Sequence, residues 1–332
     1  RLYEFSLGGV GLFHQAGLTK CLDKGQCDVA VLPWFTRYPL LVPALLLARW
    51  KRIPTLLWGH GYSKHENKAR ALFRNTVASL ASGVVVYEEH TAAKLNGSRM
   101  LRGQAFSAPN AVDQKPIRNA REAWLANPDR LAEFRAEHGL ESNTTIIYIG
   151  RLYAQNRIEL LIEALPLITR ECDGLKVVVI GRENDYSQRL RDMASGLGVA
   201  DRLVWVGELY DEQKLAPWML SAQVMCYPEN IGLSIFHAMG YGLPVLTSDD
   251  IDQHNPEIFA LDPGVNGDVY ASGNVEALAA ALLKMVSSPD RLSAMSNAAL
   301  NTAGRATVAS MADGFERALD YAMASQANRG RR

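Results

Sequence analysis

Short runs of apolar, often β-branched residues alternate with longer amphipathic segments along the whole chain. This alternation is typical of parallel sheets whose strands are joined by crossover helices. Each apolar run is almost free of polar residues, as a strand that is covered on both faces requires. In the first part of the chain the pattern predicts strands at 28–32, 54–58 and 84–87 and helices near 39–52, 64–82 and 89–96.

The alternation starts again near residue 145 and indicates a second doubly wound sheet. It predicts strands at 145–149, 176–180, 203–206, 223–227 and 244–247, and helices at 157–171, 185–197, 211–220 and 233–241. Asn274 is a predicted N-cap, and Ser288 with Pro289 begins the next helix. A last helix at about 307–325 is predicted to pack back on the first domain, before a frayed tail.

A polar segment separates the two patterns. Asn127, Pro128 and Asp129 predict a helix that begins there and ends before Gly139. We interpret 121–143 as a linker region between a first domain at 1–120 and a second at 144–306.

The length supports two domains, because a single core stops growing at about 250–300 residues and the chain has 332.

The four cysteines form no C-x-x-C pair and no zinc pattern with the seven histidines, so we expect free thiols. The longest apolar stretch, 38–50, is shorter than the ~20 residues that span a bilayer. With no secretory leader in view, we expect a cytoplasmic protein.

The net charge of zero hides an asymmetry. Residues 1–120 hold 16 lysines and arginines against 7 acidic residues, so they carry +9 and the remaining 212 carry −9. A basic first part favours a phosphate-bearing substrate or peripheral contact with an anionic membrane at its inner face, although solubilising charge explains it equally well. No nucleic-acid partner is indicated. The basic residues concerned are Arg37, Arg49, Lys51, Arg52, Lys64, Lys68, Arg70 and Arg74.

Three short motifs of the second domain occur in a characteristic order and at characteristic distances along the chain. Gly150-Arg151-Leu152 follows its first strand, a run at 228–239 follows the fourth, and Tyr241-Gly242-Leu243-Pro244-Val245 begins the fifth. Together with Pro256-Glu257 and Asn266-Gly267, they resemble family 4 of the retaining glycosyltransferases over about residues 28–325.

This resemblance implies a GT-B fold, in which two Rossmann-like doubly wound domains face a cleft. It also implies retaining transfer of a sugar from a UDP- or GDP-sugar, held by the second domain, to a glycan or lipid-linked acceptor held by the first. The donor is then a substrate, and neither cofactor nor metal is expected. Asp250-Ile251-Asp252 imitates a metal-binding D-x-D, but we interpret it as a loop.

The donor site follows from the same residues. A guanidinium just past a strand, such as Arg151, suits the negative charge that develops on a leaving diphosphate, and Glu229 matches the family residue that contacts the donor sugar. The backbone N–H groups at 230–233 begin a helix and are predicted to face an anionic or hydroxylated ligand. The predicted donor residues are Gly150, Arg151, Arg157, Glu229, Asn230, Ile231, Gly232, Leu233 and His237.

Two positions depart from the family pattern. His237 stands where a second glutamate usually holds the ribose hydroxyls, and imidazole can also hydrogen-bond a diol. Asn156 stands where a lysine is expected, with Arg157 beside it as a substitute.

In the first domain, Trp58-Gly59-His60-Gly61 places a histidine at the end of a strand, where the family has one beside the reacting centre. We predict His60, Arg151 and Glu229 as the catalytic set, although an ordinary loop histidine fits His60 as well. Two further groups of residues are assigned to the acceptor side. Glu88, Glu89 and His90 follow the predicted strand at 84–87. Gly8 and Gly9 form a short glycine turn, which is predicted to lead into a helix that ends at about residue 22.

Two alternatives stay open because of the missing lysine and glutamate. One is a catalytically silent relative that acts as a binding or scaffold subunit. The other is a nucleotide-sugar epimerase of the same fold.

Overall fold

The computed structural model describes residues 2–7, 10–15, 17–22, 27–35, 37–62, 68–98, 101–141 and 144–330. They form two compact α/β units. The first combines Arg1–Asn110 with Val308–Arg332, and the second is Ala111–Thr307.

The first unit begins with an antiparallel hairpin. Strand β1 (Leu2–Leu7) pairs with β2 (Val10–Gln15), and a single helical turn, α1 (Leu18–Cys21), follows. The predicted helix that follows Gly11 and ends at about Leu22 is therefore wrong over most of its length. The segment is extended up to Gln15, and the backbone hydrogen-bonding groups of each hairpin strand are satisfied by the other strand.

The main sheet of the first unit has four parallel strands in chain order, with a helix between successive strands. Parallel crossovers are right-handed, so sequential order puts all of these helices on one face. The core agrees, because Leu57 and Val84 pack with helix residues such as Leu45. The elements are β3 (Ala30–Pro33), α2 (Leu41–Trp50), β4 (Thr55–Trp58), α3 (Lys68–Ala78), β5 (Gly83–Val86), α4 (Glu89–Asn96) and β6 (Gln104–Ser107).

Two helices connect the sheets of the two units. Helix α5 (Gln114–Leu125) is capped by Asp113, and α6 (Pro128–Glu137) by Asn127. Ile117 and Trp124 are buried in the core of the second unit. The segment that we interpreted as a linker thus contributes to that core.

The second unit contains six parallel strands in the order β12-β11-β10-β7-β8-β9. The strand order reverses between β10 and β7, which makes the pair a topological switch point, where α/β proteins bind ligands beyond the carboxyl ends of the strands. The strands are β7 (Thr145–Ile149), β8 (Lys176–Ile180), β9 (Leu203–Gly207), β10 (Val224–Cys226), β11 (Val245–Ser248) and β12 (Gly267–Tyr270). The helices are α7 (Ile158–Ile168), α8 (Asp185–Gly196), α9 (Glu212–Ser221), α10 (Ser234–Gly240), α11 (Val275–Val286) and α12 (Pro289–Arg305).

The last helix, α13 (Val308–Gly330), belongs to the first unit. Ala318 and Ala322 are fully buried in one cluster with Leu56 and Val85. Successive strand residues point to opposite faces of a sheet, so α13 covers the face that α2, α3 and α4 leave uncovered.

Helix α2 is the apolar stretch noted in the sequence, and one side of it, including Leu41 and Leu45, is buried in the first unit. No helix among the described residues is both long and apolar enough to span a membrane. The four cysteines are free.

Candidate functional site

The second unit contains a pocket of about 740 Å³ beyond the carboxyl ends of β7 and β8. Its walls are largely apolar, and a few polar groups point into it, which is the usual composition of a small-molecule site. Four predicted donor residues line the pocket, namely Gly150, Arg151, Leu233 and His237.

Two glycines allow the backbone to form this pocket. A Cβ on Gly150 would lie 2.9 Å from the ring of Tyr227, and a Cβ on Gly181 would lie 2.3 Å from the carbonyl oxygen of Gly150. Any side chain at Gly181 would therefore separate the ends of β7 and β8. Gly181 lines the pocket and was missed by sequence reasoning, although it follows β8 as Gly150 follows β7.

Arg151 lies at the start of the loop after β7, and its guanidinium is 5.6 Å from the ring centre of Tyr153. Its carbonyl oxygen accepts hydrogen bonds from the Tyr148 hydroxyl at 2.9 Å and from the Asn156 side-chain amide at 2.6 Å. The backbone of Arg151 is thus held in place while its exposed side chain lines the pocket.

Asn156, at the position of the family lysine, is 3% exposed and joins two loops. Its side-chain oxygen accepts a hydrogen bond from the Asn230 amide at 2.9 Å, and its carbonyl oxygen accepts the N–H of Glu229 at 3.2 Å. The loop after β7 is therefore tied to the loop after β10 at the switch point. Asn156 is a structural connection between the loops that carry Arg151 and Glu229.

Glu229 and Arg157 are not among the described residues that line the pocket. A carboxylate oxygen of Glu229 accepts a hydrogen bond from the Ser272 hydroxyl at 2.9 Å. Arg157 pairs with Glu159 at 2.6 Å. Burial lowers the pKa of Arg157, but the hydrogen bond and charge of Glu159 and the charge of Glu229 outweigh it, so the net shift is upward.

The loop at 230–233 is shaped by a buried histidine that the sequence did not single out. Nδ1 of His254 accepts the N–H of Ile231 at 3.1 Å, and its Nε2 lies 3.0 Å from the carbonyl oxygen of Ser248. The amide of Ile231 is therefore occupied within the protein and does not face a ligand as expected. Asn230 adopts a positive φ of 60° in this turn, and Gly232 packs against Asn255.

His237 contacts a carboxylate that also lines the pocket. Its Nε2 lies 3.0 Å from Glu212 on α9, and the Tyr241 hydroxyl donates to the same carboxylate at 2.6 Å. Burial raises the pKa of Glu212, but the hydrogen bond and charge of His237 and the bond from Tyr241 outweigh it, so the net pKa is lowered. Glu212 is thus an ionised carboxylate oriented by two neighbours. No pattern in the sequence distinguishes Glu212, since the residue after an N-cap such as Asp211 is commonly acidic.

In the first unit, aromatic residues gather at the carboxyl ends of β4 and β5. The ring of His60 lies 4.9 Å from that of Tyr87 and 6.3 Å from that of Tyr62, between centres. His60 itself is exposed. His60 thus follows the carboxyl end of β4, at the end of a strand as predicted from the sequence.

The acceptor-side candidates differ in their surroundings. Glu88 is buried and accepts hydrogen bonds from the hydroxyls of Tyr62 at 2.9 Å and Thr91 at 2.6 Å. Glu89 accepts a hydrogen bond from Ser107, and His90 is exposed. Gly8 and Gly9 lie outside the described residues.

No group of three or more histidine, cysteine or acidic residues within the described ranges is arranged to hold a metal ion. Asp250 precedes a 3₁₀ turn at Ile251–Gln253, and Asp252 lies within that turn.

The chain is similar to known proteins both in sequence and in fold. The model of the family "Glycosyl transferases group 1" matches residues 131–302, just over half of the chain. A GDP-mannose-dependent alpha-(1-6)-phosphatidylinositol monomannoside mannosyltransferase from Mycolicibacterium smegmatis is 26% identical, over 82% of this chain and 71% of that protein. The alpha-D-kanosaminyltransferase of Streptomyces kanamyceticus is 24% identical, over 76% of this chain and 65% of that protein.

The chain spans 52% of the corresponding mannosyltransferase from Mycobacterium tuberculosis. Among solved structures, HepE from Anabaena in complex with UDP is similar, with a TM-score of 0.71, 18% identity and coverage of 91% of this chain and 80% of that one. This likeness confirms the GT-B fold expected from the sequence. The family match shows that the chain belongs to the glycosyl transferases group 1 family.

Proposed function

We propose that the second unit binds a nucleotide-diphosphate sugar and that the protein transfers the sugar, with retention of configuration, to a glycan or lipid-linked acceptor. The supporting observation is the pocket at the switch point, which has an arginine beside β7 and an oriented carboxylate on α9. A cation suits a diphosphate, and a carboxylate suits the two hydroxyls of a ribose.

In this proposal, Arg151 offsets the negative charge that develops on the leaving diphosphate. Glu212 accepts hydrogen bonds from the ribose hydroxyls, and His237 orients Glu212. Glu229 contacts the transferred sugar, and His60 of the first unit lies beside the reacting centre. Arg157 supports Glu229 by its charge.

The name of the mycobacterial relative favours a GDP-sugar as the donor. Calorimetric titration with GDP, UDP and their sugars identifies the nucleotide, and we expect the diphosphate-containing ligands to bind most tightly. Proton NMR of the first product formed then gives its anomeric configuration. An inverted anomer contradicts retention, and no binding of any nucleotide contradicts the donor assignment.

Replacement of Arg151 by alanine tests the role of its charge. A charge-assisted contact contributes about 1.5–3 kcal/mol, so Arg151→Ala should lower kcat/KM by roughly ten- to a hundredfold without lowering Tm. Arg118→Ala, which removes an exposed arginine of α5, is the matched control. Wild-type kcat/KM in Arg151→Ala contradicts the assignment.

A silent relative is the second candidate, because a buried asparagine occupies the position of the family lysine. The two functions predict different fates of the bound donor when no acceptor is present. An active transferase slowly releases free sugar from the donor, whereas a silent protein binds the donor and leaves it intact.

We also propose that the protein works on the cytoplasmic side of an anionic membrane, where a lipid-linked acceptor is presented. The support is a set of exposed apolar residues next to exposed basic ones, since Leu72 and Phe73 are 60% and 52% exposed on the helix of Lys68 and Arg70. Arg74 does not belong to this set, because its guanidinium is half-buried and burial lowers its pKa. Lys64 lies outside the described residues.

Flotation with phosphatidylglycerol vesicles tests the membrane contact. We expect attachment at low salt that weakens at high salt, because exposed charges are screened beyond about 10 Å at 0.1 M. Lys68→Glu with Arg70→Glu should weaken the attachment, and Lys94→Glu at an exposed position of α4 should not. Attachment that the double change leaves as strong as in the wild type contradicts the proposal.

A further inference from the structure

The first unit contains a second pocket, of about 440 Å³, at the opposite edge of its sheet from His60. Thr55, the first residue of β4, and Ser82, which precedes β5, lie in its wall. His60 follows the last residue of β4. A four-residue strand rises about 3.3 Å per residue, so the pocket lies roughly 10 Å or more from the predicted reacting centre. It is separate from any site at the carboxyl ends of the strands.

Three arginines from different elements converge on this pocket. Arg49 belongs to the last turn of α2, Arg52 follows that helix, and Arg102 precedes β6. The lining includes no aspartate or glutamate within the part of the chain that the structure describes. Three like charges around one cavity repel one another, and their repulsion is relieved when an anion enters.

Hydroxyl groups in the wall add hydrogen-bonding capacity. Ser82 Oγ accepts the N–H of Thr55 at 3.2 Å, so its own O–H remains to donate. Tyr321 and Ser325 of α13 contribute two more hydroxyls. Guanidinium and hydroxyl donors together match the several acceptor oxygens of a phosphate better than the two oxygens of a carboxylate.

Arg52 has an unusual backbone conformation for a residue other than glycine. Its φ is 59°, a left-handed conformation that glycine adopts more easily at the end of a helix. The carbonyl oxygen of Arg52 accepts a hydrogen bond from the Gln326 side chain at 2.8 Å, which ties α2 to α13 at the rim. The chain thus keeps an arginine where glycine is the less strained residue.

The lining also includes an apolar part, formed by Ile53, Pro54, Leu80 and Ala81. A bare inorganic anion would leave this surface unused. We propose that the pocket binds a phosphate ester, with the phosphate held by Arg49, Arg52 and Arg102 and the esterified group against the apolar wall. The ester is either a free metabolite or the headgroup of an anionic lipid, since both present anionic, non-bridging phosphate oxygens to the arginines.

Calorimetric titration with glycerol 3-phosphate and co-sedimentation with phosphatidylglycerol vesicles test the proposal. We expect at least one probe to bind, and we expect Arg49→Ala, Arg52→Gly and Arg102→Ala each to weaken that binding by about fivefold or more. Arg52→Gly also relieves the left-handed strain, so it should fold at least as well as the wild type. Arg118→Ala is the charge-matched control.

The two probes separate the sources of the phosphate. Binding of glycerol 3-phosphate in solution identifies a free ester, whereas arginine-dependent binding to vesicles alone identifies a lipid headgroup. Lys68→Glu with Arg70→Glu should leave glycerol 3-phosphate binding unchanged, which keeps this site distinct from the membrane contact of α3. If neither probe binds, or if the three arginine variants bind as the wild type does, the proposal is overturned.

Discussion

At the scale of single residues, the candidate donor site depends on side chains whose partners are distant in sequence. Asn156 and Asn230 are hydrogen-bonded although 74 positions separate them in the sequence. His237 contacts Glu212, which lies 25 positions away. The family pattern identifies the positions of Asn156 and His237 but not what they contact. Local sequence contains no information on such partners, which is why Glu212 and His254 were missed.

Glu212 provides a pH-dependent test of its contacts. The folded pKa is below the usual value of 4.5, so the contribution to stability is present above about pH 4.5 and is lost as pH falls through the folded pKa. Glu212→Gln should lower the free energy of unfolding by about 1 kcal/mol at neutral pH, allowing for partial exposure.

Urea unfolding of both proteins between pH 3 and 7 measures this effect. The difference between wild type and Glu212→Gln should shrink below about pH 4.5. A difference that stays constant over that range contradicts the role of an ionised Glu212, and Glu276→Gln on the exposed start of α11 provides the control.

At the scale of elements, buried strands were easy to predict and edge elements were not. The predicted strands at 145–149 and 176–180 match β7 and β8 to the residue, because each is a continuous apolar run. Strands β6 and β12 were not predicted. Their sequences, Gln-Ala-Phe-Ser and Gly-Asp-Val-Tyr, are short and half polar, as strands at the edges of sheets often are.

The close approach of β7 and β8 provides a test at this scale. Gly181→Ala introduces a Cβ against the carbonyl oxygen of Gly150, and such overpacking costs about 1–3 kcal/mol. We expect a lower Tm together with weaker nucleotide binding, because the shift occurs in the pocket wall.

Gly196→Ala is the matched control, since a Cβ there meets nothing within 4 Å. In the last turn of α8 the change should be neutral or stabilising by about 0.5–1 kcal/mol. Equal effects of the two substitutions on Tm and binding would show that the contact with Gly150 is unimportant.

At the scale of the whole molecule, the first unit is assembled from both ends of the sequence, because α13 supplies one layer over its sheet. Ala318→Asp places a carboxylate in that buried cluster and should destabilise the first unit by about 3–5 kcal/mol. Hydrogen exchange should then accelerate in β4 and β5 and stay unchanged in β7 and β8. Met323→Asp, at a site 44% exposed on the same helix, should leave exchange in all four strands unaltered.

The position of α13 also has a consequence for synthesis. A ribosome makes β4 and β5 long before it makes α13, and the whole second unit is translated in between. Until then, Leu56 and Val85 have no helix to cover them and remain open to water or to a chaperone. The second unit can therefore complete its fold before the first unit does, although β4 and β5 of the first unit are translated earlier.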